Sequence, residues 1–189
     1  MKSSLYILAL VFASFASPAF AQQMPPYSEA GPVPPAITHA KNIFISNGGS
    51  DAGLFPERLP LSGLSSQPFT GDAGRPYTQF YAALQATKEY TLVSDPNRAD
   101  IVLELRLTAP NGPQNPSRQN GASDPLPQFR LVVYDVKSHY ILWTFTESIE
   151  PAILQRTHDK NFDKALAALV TQFLTISHRP PAAPPTPAQ

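Results

Sequence analysis

The stretch Ala99-Asp100-Ile101-Val102-Leu103-Glu104-Leu105-Arg106-Leu107 decides how the rest of the chain is read. Ile101, Leu103, Leu105 and Leu107 point to one side of an extended backbone, while Val102, Glu104 and Arg106 point to the other. Strand side chains alternate with a period of two, so this is a strand with one face on a core and one near solvent. Downstream, Phe129 to Tyr134 and Tyr140 to Ile149 repeat the alternation around a short turn at Asp135 to His139. Paired as a hairpin, the two runs set Trp143, the only tryptophan, near Val133 or Leu131. His139 stands where such a turn favours a left-handed residue, a conformation histidine tolerates better than most side chains.

Working outward, Asn42 to Ser46 reads as a first strand that ends at Asn47-Gly48-Gly49. Tyr90 to Ser94 is a second, closed by the turn Asp95-Pro96-Asn97. Between them Pro76 opens a helix over about 76–88, with Tyr77, Phe80, Tyr81 and Leu84 on one face. A second helix starts at Asp159 as N-cap and places Phe162, Leu166, Leu169, Val170 and Phe173 on one stripe as far as Ile176. The order is β-α-β-β-β-β-α. An α+β domain results, with a four- to five-stranded antiparallel or mixed sheet and both amphipathic helices on one face. Its expected core holds Leu103, Leu105, Trp143, Phe145, Phe80, Leu84, Phe162, Leu166, Leu169 and Phe173. Truncating a deeply buried Trp143 to alanine is expected to cost ~3–5 kcal/mol.

The ends belong to a different class of sequence. Lys2, the apolar run Leu5 to Phe15 and Ala19-Phe20-Ala21 form a secretory leader over 1–21, cleaved after Ala21. The run is shorter than the ~20 apolar residues of a membrane span, so a periplasmic or secreted protein is expected. Residues 22–40 and 179–189 hold ten of the 22 prolines and read as solvated linkers around a single domain over 41–178.

With 14 basic and 14 acidic side chains, loss of Lys2 leaves one excess negative charge. That balance carries no electrostatic footprint for nucleic acid or anionic lipid. The absence of cysteine excludes thiol catalysis, cysteine metal sites and disulfide staples.

Gly48-Gly49-Ser50-Asp51-Ala52-Gly53 is the densest glycine patch. A phosphate cradle needs a helix directly after its glycines, but Pro56, Pro60, Pro68 and Pro76 interrupt the segment downstream of the patch. A flexible exit from the strand is the better reading. His39, His139, His158 and His178 show no paired metal spacing and lie in no nucleophile motif. A hydrolase would draw on His158, Asp159 and Asp100, yet His158–Asp159 lacks a further ligand at a useful spacing and reads as a helix-start pair. Asp95 and Asp135 fit turn chemistry. A small-molecule or glycan site would use Tyr77, Tyr81 and the loop 108–128, although a stripe at helical spacing is first of all core.

That loop carries five prolines, two glycines, three asparagines and three glutamines, and reads as a long structureless excursion. No cofactor, metal or catalytic residue is expected. The candidate interaction surface is Glu104, Arg106, Arg130 and Tyr134, with Arg118 from the loop.

Ala99-Asp100-Ile101-Val102-Leu103, then Phe129 to Ser138, then Ile141-Leu142-Trp143 and a closing amphipathic helix form a pattern over about 90–175. It resembles small bacterial envelope domains of the curli-secretion and penicillin-binding-protein-activator lipoprotein type and the TolB N-terminal type. It is similar also to uncharacterised lipoproteins with the same ending helix. The resemblance implies a periplasmic module that works by contacting another envelope protein. This chain departs from the pattern in having His139 for the turn glycine and no lipidated cysteine.

Overall fold

The computed structural model describes residues 31–51, 69–114 and 123–180. The leader, most of the glycine patch's exit, Arg118 and the tail from 181 lie outside the described residues. In chain order the elements are α1 (Pro35–Thr38), β1 (Asn42–Ser50), α2 (Arg75–Thr87), β2 (Thr91–Leu92), β3 (Ile101–Thr108), β4 (Asn111–Gln114), β5 (Ser123–Pro125), β6 (Gln128–Asp135), β7 (Ile141–Ser148) and α3 (Gln155–Ser177). A 3-10 turn at Pro96–Arg98 leads into β3, with Asp95 Oδ1 accepting from the Asn97 N–H at 2.9 Å.

The main sheet has the order β2-β1-β3-β6-β7. β1 runs parallel to both β2 and β3, whereas β3–β6 and β6–β7 are antiparallel. The sheet is therefore mixed, and the class is α+β. Parallel neighbours need a crossover, which α2 supplies between β1 and β2; the 3-10 turn lies between β2 and β3. Trp143 lies opposite Val133 in the β6–β7 hairpin. His139 closes its turn at φ +60°. Asp135 braces that turn by accepting from the Ser138 N–H and hydroxyl.

One face of the sheet carries Ile43, Ile45, Ile101, Leu103, Leu105, Leu107, Phe129, Leu131, Val133 and Phe145, all buried. Phe80 and Leu84 of α2 and Phe162, Leu166, Leu169 and Phe173 of α3 are buried in the same core cluster. Edge contacts between rings knit the layers, with Phe129–Phe162 at 5.1 Å and Phe145–Phe173 at 6.2 Å between centroids. Trp143 differs from the expectation of a buried core residue. It sits half-buried at the rim, because β7 is the last strand of the sheet.

Four further differences have physical causes. Composition assigns 22–40 to a linker, yet Val33, Ile37 and Ala40 are buried, since one turn of helix opened by Pro35 turns Ile37 inward. Phe69, in the proline-broken stretch, is fully buried against Phe162 at 4.5 Å. β1 does not stop at Asn47 but continues through a register shift to Ser50. A side chain at Gly48 would lie 3.0 Å from the Leu105 carbonyl oxygen, so glycine is what lets β1 stay beside β3 there. The loop 108–128 is not structureless, because β4 and β5 pair antiparallel within it.

Candidate functional site: the open face of the sheet

The opposite face of the sheet has no helix over it among the described residues. Strand register stacks its side chains in rows. Phe44 aligns with Val102 and Tyr134. Ser46 aligns with Glu104, Val132 and Thr144, and Arg106 with Arg130 and Thr146. Four of the residues expected at an interaction surface, Glu104, Arg106, Arg130 and Tyr134, thus share one face, while Arg118 lies outside the described residues.

The row of Arg106 and Arg130 sets its electrostatics. The two are directly opposite on antiparallel strands, and both are exposed. Side chains so placed have Cβ atoms about 4.5–5.5 Å apart, and like charges there repel. Arg106 finds a partner in Asp51, Nη2 to Oδ1 at 3.0 Å, rather than in Glu104 two residues away. Asp51 also accepts from the Ala109 N–H at 3.1 Å, which fixes the carboxylate at the end of β1. Two guanidinium forks beside the half-buried Phe44, Val102 and Tyr134 can bind planar carboxylates and cover apolar surface together, whereas Val132 in the same strip is buried.

The residues a hydrolase would use are not brought together. Asp100 accepts from the backbone N–H groups of Asn42 at 2.8 Å and Lys41 at 2.9 Å, and these bonds hold its carboxyl below the usual carboxylate range. It ties the start of β3 to the start of β1. Asp159 is not an N-cap, because α3 begins at Gln155 with Leu154 in the capping position. Burial pushes the Asp159 carboxyl up, but bonds from the Thr70 N–H, the Thr70 hydroxyl and Arg75 outweigh it and hold the group low. His158 is buried, with Nε2 accepting from the Ala152 N–H at 3.3 Å. Tyr77 and Tyr81 pack against the core with their ring centroids 6.2 Å apart. Among the described residues no group of three or more His, Asp or Glu is gathered as a metal site. No helix among them is long and apolar enough to cross a membrane.

Sequence reasoning missed the cluster around Arg75. Its guanidinium bonds Asp159 at 3.1 Å, Asp163 at 2.8 Å and the Thr70 carbonyl at 2.9 Å, and lies 4.9 Å over the Phe162 ring. The acidic i, i+4 pair Asp159 and Asp163 on one helix is the signal that pointed to it. The cluster locks α2 to α3.

No family model matches the chain, and no curated protein does. Among solved structures it is similar to a DUF4136 family protein from Bacteroides thetaiotaomicron, at 14% identity and TM-score 0.45, covering 76% of this chain and 92% of that one. It is similar also to a DUF330 protein from Xanthomonas campestris, at 10% identity and TM-score 0.42, covering 73% and 82%. A lipoprotein from Neisseria meningitidis aligns at 14% identity and TM-score 0.34, over 71% and 99%.

Proposed function

We propose that this chain is an exported, non-catalytic interaction module of the cell envelope, and that the open sheet face takes a carboxylate-bearing surface of another envelope protein. The observation that carries the reading is the Arg106–Arg130 opposition on a face with no helix over it among the described residues. A like-charge pair directly across two strands costs stability in isolation. An acidic partner removes that cost and gains bidentate pairs. The apolar strip beside the arginines supplies area that a purely polar surface lacks. Export rests on the leader at 1–21, and the pattern at Ala99–Asp100 and Asp135–Trp143 supports an envelope setting.

Crosslinking in the native envelope followed by mass spectrometry tests it. One reproducible protein partner is expected, with crosslinks that fall away at high salt and in the double variant Arg106→Glu, Arg130→Glu. A chain that is always free, or a partner that the folded double variant retains in full, sinks the proposal.

A further inference from the structure

The two edges of the main sheet are treated differently. At one edge β2 is only two residues long and runs directly into the turn at Pro96, a short edge of the kind that resists pairing. At the other, β7 presents eight residues, Ile141–Ser148, whose outer side pairs with nothing among the described residues. It holds no lysine, arginine or proline, the usual devices that keep an edge from pairing. Its only charge, Glu147, already accepts a hydrogen bond from Gln172 of α3.

A groove of about 390 Å³ runs along this edge between β7 and α3. Trp143 and Phe145 form one wall and Thr171, Gln172, Thr175 and Ile176 the other, with no charged residue in its lining. Apolar exposure concentrates at the same place. Tyr140 is 74% exposed and Ile141 55%, at the start of β7, while Ile153 is 94% and Leu154 68%, just beyond its end. Of the large hydrophobic residues exposed among the described residues, only Leu126 lies elsewhere.

We infer that β7 is the interface for a second copy of this chain, joined edge to edge and antiparallel about a two-fold axis. Three features select a second copy over an unrelated strand. An isologous interface meets itself, so any charge on it meets its own sign, and this edge is almost free of charge. Antiparallel pairing carries the start of one β7 to the end of the other. Tyr140 and Ile141 then come to the end where the neighbour exposes Ile153 and Leu154, and both patches lose solvent at once. Keeping both cores on the same side of a continuous sheet requires residues of equal parity to pair, so the axis passes through a residue. With the axis at Thr144, Trp143 of each copy lies across from Phe145 of the other, an aromatic cross-strand pair formed twice. The small Thr171 and Thr175 leave room beneath for the neighbour's rings.

Sedimentation of the exported chain, free of its leader, over a wide concentration range tests this together with Trp143 emission, which reports this edge alone because the chain has one tryptophan. A monomer–dimer equilibrium is expected, with Trp143 emission shifting to the blue as dimer forms. Thr144→Lys places an edge lysine on β7 and Thr171→Arg fills the groove from α3. Each is expected to weaken association about tenfold or more, with unchanged far-ultraviolet circular dichroism. A chain that stays monomeric at every concentration overturns the inference, as does a dimer that survives both folded variants. A chain that dimerises only after removal of 181–189 overturns it too, since the proline-rich tail would then be the groove's occupant.

Discussion

Arg75 Nη1 and Asp159 Oδ1 lie 3.1 Å apart although the residues are 84 positions apart in the chain. The pair joins the start of α2 to the second turn of α3, under a guanidinium that also lies over Phe162. Both side chains are largely shielded, at 19% and 24% exposure, so solvent screens the pair less than an ordinary surface bridge. Asp159→Ala removes the acceptor of the Thr70 N–H and hydroxyl as well as the Arg75 partner. It is expected to cost about 1.5–3 kcal/mol, the range for hydrogen bonds to a charged group. Arg75→Lys keeps the charge but loses the fork to Asp159 and Asp163 and the planar stack on Phe162, and should cost about 1–2 kcal/mol. Urea unfolding of Arg75→Lys, of the single variants Arg75→Ala and Asp159→Ala, and of the double variant that combines those two alanines checks this. A double variant that loses the full sum of the two single losses means the pair contributes nothing.

Among the described residues, three carboxylates are expected to shape the acid limb of stability. Asp100, Asp135 and Asp159 are each held below the usual range: Asp100 by the Asn42 and Lys41 N–H groups, Asp135 by the Ser138 hydroxyl and N–H. Asp159 is held low by Thr70 and Arg75 against its own burial. A carboxyl whose folded value is depressed adds stability that is fully present above the unfolded value, about 3.9, and is lost as pH falls through the folded value. Stability is therefore expected to be independent of these groups from neutral pH to about 5, and to decline below about 4. Asp100→Asn should be less stable at pH 7 and show a shallower decline in acid. An acid limb identical in slope to that of the parent would remove Asp100 from the account.

Much of the architecture was legible because its strands sit half in water. Alternation marks Ile101–Leu107 and Phe129–Val133 as sheet, and an aromatic stripe marks Phe80 and Leu84 as core, since burial on one face writes a period into the sequence. Where burial is local rather than periodic, no such record exists. Phe69 is a single anchor beside a proline, and Val33, Ile37 and Ala40 lie in or beside a helix of only four residues, too short to write a period. Parallel pairing of β1 with β3 is likewise silent, because a strand's side-chain pattern is the same in either direction. The open face was legible in its residues, Glu104, Arg106, Arg130 and Tyr134. The Arg106–Arg130 opposition needed the register of β3 against β6, which no short turn fixes because the long segment 109–127 joins those two strands.

Trp143 tests the edge position of β7. It packs on the rim of the core and lines the groove beside α3. Truncating a fully buried aromatic costs ~3–5 kcal/mol, and Phe129→Ala, at a fully buried position on β6, is expected to fall there. Trp143→Ala should cost less, about 1.5–3 kcal/mol, because part of its surface is already in water. Equal losses for the two variants, measured by chemical unfolding at low protein concentration, would place Trp143 in the core proper.

His139 offers a substitution expected to stabilise. Its φ of +60° lies in the left-handed region, where an L side chain costs about 1–2 kcal/mol. The turn holds it there from both sides. The His139 N–H donates to the Asp135 carbonyl at 2.9 Å, and the Asp135 N–H donates to the Tyr140 carbonyl at 3.0 Å. His139 is exposed, so its ring contributes little packing to offset the strain. Glycine removes that strain but gives the unfolded chain more freedom, a loss of about 0.5–1 kcal/mol. His139→Gly should therefore come out between neutral and about 1.5 kcal/mol more stable, by the difference of those two effects. His139→Val, whose branched side chain tolerates this region least, should be destabilised by at least about 1 kcal/mol. Thermal unfolding of the three proteins orders them glycine, histidine, valine. The reverse order would show that the turn relaxes out of the left-handed conformation at little cost, so that Asp135 and Ser138 do not hold it.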